Sequence, residues 1–260
     1  MERKVKSGRE EEEKPFLDHL EDLRWTLLKI FFSWGILSLI AFLLAPRVLA
    51  VVKWPLLRML ASLGRDGEAE VILRSLSPAE VFLMSVKLSL LAGLIVALPL
   101  ILYFSAKFIF PALKPEEKRF LIPAFCMGGG LFFFGVLFAY GIVLPLGLKF
   151  FWSFSERLGV QPAWTVNNYA SLVGKLLLAF GIIFEIPVLI LFLARLGIVN
   201  YYMLKRGRPY VIIGVFLLAA LLTPPDIITQ VMMAVPMLIL YELCVFFSRF
   251  FLLKRTGKKI

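Results

Sequence analysis

The segment YASLVGKLLLAFGIIFEIPVLILFL, residues Tyr169–Leu193, decides the fold class because nearly all of its residues are apolar. An α-helix of this length rises about 37 Å, and the hydrocarbon core of a bilayer is about 30 Å thick. We therefore predict that the segment crosses a membrane as a helix. Its single carboxylate, Glu185, then lies near the middle of the membrane, where a charged group needs a physical reason.

Five further apolar runs indicate a polytopic helical membrane protein. Sixty per cent of the residues are apolar and the mean hydropathy is +0.86, whereas soluble domains contain about 45–50% apolar residues. The predicted fold class is all-α, with six transmembrane helices. The other five runs are Trp25–Leu44, Val81–Leu102, Phe120–Leu144, Tyr210–Thr223 and Ile227–Phe247.

The distribution of basic residues predicts the orientation. Twenty of the 29 Lys and Arg residues lie in the two terminal segments and in the loops after the second and fourth runs, whereas seven lie in the alternate loops. Because basic residues collect on the cytoplasmic side of a membrane, both termini are expected in the cytoplasm and the protein in the cytoplasmic (inner) membrane. The net charge of +11 therefore reflects topology, and we expect no binding to nucleic acid.

The chain is interpreted as one membrane domain between two tails. Residues 1–15 mix both charges without apolar anchors and are predicted to be a disordered cytoplasmic tail. Residues 16–250 are predicted to form a single six-helix domain, and residues 251–260 a basic cytoplasmic tail.

The fifth and sixth helices are predicted to be short. Fourteen residues lie between Pro209 and Pro224, which corresponds to about 21 Å of helix. The sixth run is interrupted by Gln230, Pro236 and Glu242. Such helices must thin the bilayer or be shielded by partners. The alternative is that the fifth helix is extended by the residues before Pro209.

Local signals mark several helix ends. Ser77-Pro78-Ala79-Glu80 predicts a capping box that opens the second crossing. Asn167 and Asn168 are expected to cap the fourth crossing. Thr223-Pro224-Pro225-Asp226 forces a very short turn, in which Asp226 is placed to cap the sixth crossing.

Glu185 has two interpretations. A charged residue at the bilayer centre costs roughly 2.5–3.5 kcal/mol on insertion scales, and Pro187, just beyond it, predicts a kink or a packing gap. Glu185 either hydrogen-bonds a neighbouring helix in its protonated form or faces a groove used by a partner helix or a passing chain. We favour the groove, with Gln230 on the same polar patch of a concave face.

A second group of polar residues lies at the predicted cytoplasmic edge. Residues 16–24 form an amphipathic pattern in which Asp18 and Asp22 share one helical face, with Glu21 beside them. Glu117 lies in the first turn of the third helix. Two carboxylate sites on such an edge suit a ligand with guanidinium groups, because Arg–carboxylate pairs are charge-assisted and can be bidentate. The alternatives are a solvated face balanced by Arg24 and a helix N-terminus stabilised by its dipole.

These motifs resemble the TatC family, the multispanning receptor subunit of the twin-arginine protein translocase. The resemblance extends from residue 16 to residue 250 and includes the same six-helix pattern. The matching motifs are HLEDLR (His19–Arg24), SPAE (Ser77–Glu80), LPLILY (Leu98–Tyr103), FIFPALKPEEKR (Phe108–Arg119), FAYGIVLPL (Phe138–Leu146), AFGIIFEIP (Ala179–Pro187), RPY (Arg208–Tyr210), LLTPPDIITQ (Leu221–Gln230) and AVPMLILYE (Ala234–Glu242).

The resemblance implies a receptor that binds twin-arginine signal peptides of folded precursors at the cytoplasmic face. It also implies TatA- and TatB-type single-span partners, transport driven by the proton-motive force, and a homo-oligomer within the complex. The signal-peptide residues implied are Glu21, Asp22, Arg24, Phe108, Glu117 and Arg119. Those implied for the partner helices and the groove are Pro55, Glu185, Asp226 and Gln230.

The chain departs from the family pattern at two points in its N-terminal motif. Asp22 stands where the family usually has Glu, so the carboxylate has a shorter reach. Trp25-Thr26 replaces basic residues that often follow the motif.

Two other functional classes fit the residues less well. An intramembrane transferase needs clustered aspartates to hold a metal on a diphosphate, and the acidic cluster around Asp22 has no convincing second cluster to work with. A Ser–His protease is disfavoured because the sole histidine, His19, lies in a cytoplasmic segment. A solute transporter is suggested by Glu185 alone, and the repeats typical of transporters are not evident. We expect neither an enzyme nor a cofactor or metal, and Cys126 and Cys244 are expected to pack as thiols.

Overall fold

The computed structural model describes residues 16–65, 73–112, 115–160, 162–195, 198–222 and 227–253. These segments are almost entirely helical, and the chain is a membrane protein of the all-α class with two short β-strands added. The predicted tail at residues 1–15 lies outside the described residues. The last helix continues to Leu253, and the rest of the predicted tail at 251–260 lies outside the described residues.

Nine α-helices are described. Two irregular turns join them: a 3₁₀ turn at Phe110–Ala112 and a π-helical turn at Ala139–Val143 that makes α4 and α5 one long rod. The helices are α1 Phe16–Leu43, α2 Ala45–Ser62, α3 Pro78–Ile109, α4 Pro115–Phe138, α5 Leu144–Arg157, α6 Val166–Phe184, α7 Ile186–Arg195, α8 Tyr201–Leu222 and α9 Ile227–Leu253.

Four stretches of the described chain are long and apolar enough to cross a membrane, and they overlap the first four predicted runs. They are His19–Leu43, Pro78–Ile109, Phe125–Arg157 and Val166–Ala194. Helices α8 and α9 occupy the fifth and sixth runs and have 22 and 27 residues. Within the residues whose side chains are described, α9 contains a shorter apolar stretch, Gln230–Phe246, and the short membrane span of these two helices remains a prediction.

The length of α8 requires one correction. Helix α8 begins at Tyr201 and continues through Pro209 without a break, so the helix is longer than its apolar part. The alternative given above, in which the fifth helix is extended by the residues before Pro209, is therefore correct. Its first turns are polar, with Lys205, Arg206 and Arg208, which places them at the edge of the bundle.

The helix bundle has two ends, called the near face and the far face, each defined by the residues it contains. The near face contains the start of α1, the turn at 110–112, the start of α8 and the end of α9. The far face contains α2, the start of α3, the end of α5 and the start of α6.

Helix α2 was not predicted, because its basic residues made the segment after the first run resemble a loop. The structure shows an amphipathic helix of 18 residues that lies on the far face. Its buried residues are Val52, Pro55, Leu56, Met59 and Leu60. The far face also contains a parallel pair of two-residue strands, Leu73–Arg74 (β1) and Trp164–Thr165 (β2), which the all-α prediction did not include.

Pro55 explains how α2 attaches to the bundle. A proline has no N–H, so the carbonyl of Val51, four residues earlier, lacks its intrahelical donor. The hydroxyl group of Tyr140 donates to that carbonyl at 2.6 Å, and the hydroxyl group of Tyr169 donates to the Val52 carbonyl at 2.7 Å. Pro55 thus frees the Val51 carbonyl for Tyr140, and Tyr169 adds a second bond from the bundle at the neighbouring Val52 carbonyl.

An ion pair closes the far face beside α2. The guanidinium group of Arg65 lies 3.0 Å from the carboxylate of Glu156 and stacks over the ring of Trp152 at 5.2 Å. Trp152 is buried and meets Trp164 of β2 edge-on. The end of α2, α5 and the strand pair are therefore held together around one aromatic cluster.

The capping residues differ in part from the prediction. Ser77 precedes α3 but its side chain makes no capping bond; Glu80 accepts hydrogen bonds from the backbone N–H groups of Leu76 (2.6 Å) and Asn167 (3.3 Å) instead. The cap of α6 is Thr165, which accepts from the N–H of Asn168. Glu80 therefore joins the starts of α3 and α6, a tertiary link that a capping box does not make. Asp226 lies outside the described residues.

Close helix contacts depend on small residues. On α3, a Cβ at Gly93 would overlap Ser38 of α1, and the indole N–H of Trp34 donates to the Leu90 carbonyl at 2.9 Å. Between α4 and α6, a Cβ at Gly181 would come within 2.6 Å of the Phe132 ring. The core is centred on α6, to which α2, α3, α4, α5, α8 and α9 contribute buried residues, while most of α1 beyond its contact with α3 is exposed.

Candidate functional site

The near-face site begins with a ring contact between α1 and α3. The imidazole of His19 stacks on the ring of Phe108, with centroids 4.6 Å apart and planes inclined by 17°. His19 lies in the first turns of α1 and Phe108 at the end of α3, just before the 3₁₀ turn. The stack holds the HLEDLR segment beside the connection between α3 and α4.

The charged residues of this segment are exposed on the near face. Glu21, Asp22 and Arg24 are all solvent-accessible. Asp22 is three residues after His19 and therefore shares its side of the helix. The Asp22 carboxylate is thus presented on the side of α1 that meets Phe108.

The second predicted carboxylate belongs to the start of α4. Helix α4 begins at Pro115, so Glu117 lies in its first turn, a few residues after Phe108 in the chain. The side chains of Glu117 and Arg119 lie outside the described part of the chain. The helix start agrees both with a binding role and with the alternative in which the helix dipole stabilises the carboxylate.

Glu185 occupies a break in the fourth crossing. Helix α6 ends at Phe184 and α7 begins at Ile186, so Glu185 forms the turn between them. Its N–H donates to the Ile182 carbonyl at 3.0 Å, three residues back rather than four. Pro187 cannot donate to the helix, which accounts for the break. The predicted kink is therefore confirmed.

The Glu185 carboxylate points toward α4. A Cβ built on Gly128 would lie 2.7 Å from the Oε2 atom of Glu185, so the carboxylate fills the space that Gly128 leaves. Its Oε1 atom is buried and has no hydrogen-bond partner among the described residues. The sequence reasoning did not find Gly128; three consecutive glycines at 128–130 within an apolar run were the available signal.

Gln230 joins two neighbouring helices. Its Nε2 atom donates to the Phe216 carbonyl at 2.9 Å, which links α9 to α8. The described contacts therefore direct Gln230 toward α8 and Glu185 toward α4, and the predicted common patch of the two residues remains a prediction. Pro55, placed with this group by the resemblance, is buried in α2 on the far face.

The chain is similar in sequence to a known protein family and in both sequence and fold to solved structures. The family model described as Sec-independent protein translocase protein (TatC) matches residues 18–236. A protein of Aquifex aeolicus named Sec-independent protein translocase protein TatC is 40% identical over 247 residues, which cover 95% of this chain and 98% of that protein. A protein of the same name from Desulforapulum autotrophicum is 38% identical over 97% of this chain and 88% of its own length.

Two solved structures are similar in fold and sequence. One, titled as the crystal structure of the twin arginine translocase receptor TatC, superposes with a TM-score of 0.77 at 40% identity, covering 89% of this chain and 98% of that one. The other, the same receptor in DDM, gives a TM-score of 0.78 at 40% identity over 88% of this chain and 99% of that one.

A third relative by sequence, the Escherichia coli K12 protein named Sec-independent protein translocase protein TatC, is 36% identical over 96% of this chain and 93% of its own length.

Proposed function

The chain belongs to the TatC family of Sec-independent protein translocase proteins, a family of translocase components and not of enzymes, and we propose that it is the receptor and scaffold of a twin-arginine translocase. Its ligand is the signal peptide of a folded precursor, bound through consecutive arginines. The site is the near face, formed by the start of α1, the end of α3 and the start of α4.

The observation that carries this proposal is the stack of His19 on Phe108. It joins α1 to the end of α3, from which the chain continues directly into the α4 turn that contains Glu117. On this basis Asp22 and Glu117 are assigned to the same edge of the bundle. Two separate carboxylates suit two adjacent guanidinium groups, each of which can be bound in a charge-assisted pair.

The other near-face residues support this pair. Phe108 sets the position of α1 through His19, and Glu21 adds negative charge next to Asp22. Arg24 and Arg119 carry the opposite charge and limit the mutual repulsion of the carboxylates when no peptide is bound. The exposure of Glu21, Asp22 and Arg24 keeps the edge accessible to a ligand.

The polar residues within the membrane are assigned to the single-span partners of TatA and TatB type. The buried Oε1 atom of Glu185 lacks a hydrogen-bond partner among the described residues, so an incoming polar group has an acceptor to bind. Gln230 of α9 and Pro55 of α2 are assigned to the same partner contact, as is Asp226, which lies outside the described residues. The competing interpretation is that Glu185, in contact with Gly128, only joins α7 to α4.

The orientation follows from charge. The near face contains the basic loops and, by the positive-inside rule, is assigned to the cytoplasm of a cell with an energised inner membrane. Both termini lie on that side in this assignment, and transport is driven by the proton-motive force. The chain acts within the bilayer as a homo-oligomer together with its single-span partners.

Site-specific photocrosslinking tests the receptor function. A photoreactive residue is placed at Lys107, which is exposed beside Phe108, and as a control at Leu76, which is 79% exposed on the far face. A precursor with paired arginines should crosslink at position 107 and not at 76, and the same precursor with both arginines replaced by glutamine should lose the crosslink. Equal crosslinking by the two precursors contradicts the proposal.

A further inference from the structure

Three exposed lysines project from the far half of the bundle, one each on α3, α5 and α6: Lys87, Lys149 and Lys175. Each lies within a stretch that is long and apolar enough to cross a membrane. Lys149 and Lys175 form no ion pair or hydrogen bond with the described residues. Because a charged side chain inside hydrocarbon is costly, the depth of these lysines in the membrane decides what they bind.

Lys87 and Lys175 lie at similar depth. A Cβ on Gly174, the residue before Lys175, would lie 3.2 Å from the Cδ2 atom of Leu91, one turn after Lys87. The ammonium group of Lys87 donates to the Oδ1 atom of Asn167, in the first turn of α6, at 3.2 Å. The Lys87 side chain therefore extends toward the far face, as a lysine does when its stem lies along apolar surface and its charge reaches polar groups.

Lys149 of α5 lies at a depth close to that of Lys175. Leu148, the residue before Lys149, lines a small cavity together with Leu172 and Leu176 of α6. Lys175 lies between these two leucines in the chain. Three helices therefore each present one exposed lysine within about two helical turns of depth, and these lysines are called the lysine belt.

Helix α3 is too long for the hydrocarbon core. It has 32 residues and rises about 48 Å, whereas the core is about 30 Å thick. A uniform tilt would have to reach about 50° to fit the helix into the core, and transmembrane helices tilt by about 0–40°. Part of α3 therefore extends out of the hydrocarbon.

Basic residues one hydrocarbon thickness apart indicate which part extends. Lys87 and Lys107 enclose an uncharged segment of α3. Lys175 and Arg195 enclose a segment of α6 and α7 in which Glu185 is the single ionisable residue. The members of each pair are 20 residues apart, or about 30 Å along the helix. The hydrocarbon core therefore fits between them, with Glu185 near its middle.

The turns beyond the lysine belt contain polar groups that suit a head-group layer. Glu80 of α3 accepts from the backbone N–H of Asn167 in α6 at 3.3 Å. Glu156 at the end of α5 pairs with Arg65 at 3.0 Å. Both α3 and α6 begin nine residues before their lysines, which corresponds to about 13 Å of helix. One head-group layer is about 5–8 Å thick, so these turns pass through it.

We propose that Lys87, Lys149 and Lys175 bind phosphate groups of lipids in the far leaflet and thereby fix the depth of the bundle. A lysine at the hydrocarbon edge has a stem long enough to carry its charge to the head groups. The bond of Lys87 to Asn167 uses one of the three N–H donors of the ammonium group, and two remain for a phosphate. Every phospholipid has this phosphate, so no particular head group is required.

The lysine belt also sets the depth of the break at Glu185. Glu185 is ten residues after Lys175, so it lies about 15 Å from the far boundary of the hydrocarbon. A partner helix that contacts Glu185 then meets the carboxylate at a fixed depth. The lipid contact is independent of signal-peptide binding and of the partner helices, because it involves this chain and the bilayer alone.

Spin-label accessibility measures where the hydrocarbon ends. The full chain, with Cys126 and Cys244 replaced by alanine, is reconstituted in phosphatidylcholine vesicles and labelled at Phe82→Cys or Val96→Cys, two exposed positions of α3. Phe82 lies outside Lys87, whereas Val96 lies about 13 Å inside it. The label at 82 should therefore collide with a water-soluble nickel chelate at least about fivefold more often than the label at 96. Equal accessibility of the two labels overturns the proposal.

Removal of the belt should let the bundle sink. In the triple variant Lys87→Leu, Lys149→Leu, Lys175→Leu, the label at Phe82→Cys should lose about threefold in accessibility, because the turns beyond the belt can then enter the hydrocarbon. The same three changes to arginine should retain the accessibility. Arg157→Leu removes a far-face cation about 12 Å beyond Lys149 and, as the matched control, should leave it unchanged. Unchanged accessibility in the triple leucine variant overturns the role in depth.

Bilayers without phosphate separate phosphate binding from hydration of the ammonium groups. In digalactosyldiacylglycerol vesicles of equal chain length, the difference in accessibility between the wild type and the triple leucine variant should fall by about half or more, since the anionic partner is missing. An equal difference in the two bilayers overturns the phosphate contact, even if the belt marks the edge of the hydrocarbon.

Discussion

Glu185 and Gly128 fit together because Gly128 has no side chain: a Cβ there would lie 2.7 Å from the Oε2 atom of the carboxylate. This contact joins the break between α6 and α7 to the middle of α4. The buried carboxylate therefore has a defined position, although its Oε1 atom has no hydrogen-bond partner among the described residues. Substitution of Gly128 therefore tests the position of the Glu185 carboxylate.

Gly128→Ala should displace the Glu185 carboxylate and lower the free energy of unfolding by about 1–3 kcal/mol, as overpacking of a close contact does. Thermal denaturation in detergent measures the change. Gly130→Ala is the matched control, since nothing lies within 4 Å of a Cβ there, and it should be neutral or slightly stabilising because Ala is the better helix former. In a Glu185→Ala background Gly128→Ala should lose its cost; an equal cost in both backgrounds contradicts the contact.

Charge reversal at the near face should weaken receptor binding. Asp22→Lys and Glu117→Lys are each expected to reduce the affinity for a twin-arginine signal peptide at least tenfold, because each replaces an attraction to a guanidinium group by a repulsion. Fluorescence anisotropy of a labelled peptide measures the affinity. Asp22→Glu should retain binding, since the carboxylate remains. Wild-type affinity in both reversed variants, with the protein folded in membranes, would exclude these two residues.

Replacement of Glu185 should separate binding from assembly. Glu185→Ala is expected to leave signal-peptide affinity unchanged, since the residue lies far from the near-face edge, and to reduce co-purification of the single-span partners and export. Glu185→Gln should retain part of the assembly if a polar contact is sufficient. Normal co-purification and normal export in Glu185→Ala would contradict a role in the partner contact and favour the interpretation as a link to α4.

The bond between Tyr140 and Val51 should depend on Pro55. Tyr140→Phe leaves the Val51 carbonyl without a donor, so we expect a loss of stability of about 1–2 kcal/mol. In a Pro55→Ala background residue 55 regains its N–H and can donate to Val51, so Tyr140→Phe should cost less. Thermal denaturation of the four variants gives the coupling free energy. Tyr169→Phe, which removes the bond to Val52, should cost the same in both backgrounds, and additive effects for Tyr140 and Pro55 would contradict the explanation.

The fold could be predicted where it depends on composition over long windows. The four long crossings coincide with apolar runs, and the break at Glu185 follows from Pro187. Helix α2 was missed because its basic residues resemble a loop, and only its packing shows that Val52 and Leu56 are buried. The strand pair was missed because two residues per strand leave no periodicity to detect.

The candidate site could be predicted in part. The HLEDLR segment and Glu185 were singled out from the chemistry of their residues, as carboxylates in places where a charge is costly or a cation is expected. The partners of these residues were not predicted: His19 stacks on Phe108, and Glu185 meets Gly128. Both pairs are separated by tens of residues in the chain, and no local pattern connects them.

By itself the sequence determined that this chain is a helical membrane protein and which segments of its long helices cross the membrane. It also determined which polar residues lie where burial in hydrocarbon is costly. These properties follow from local quantities, namely the free energy of transferring apolar residues into hydrocarbon and the missing N–H of proline. The tertiary structure alone decided which side chains meet, because that depends on how each helix is rotated about its axis and at what depth neighbours cross. For that reason the contact of Glu185 with α4 and the attachment of α2 through Pro55 became visible only in the folded chain.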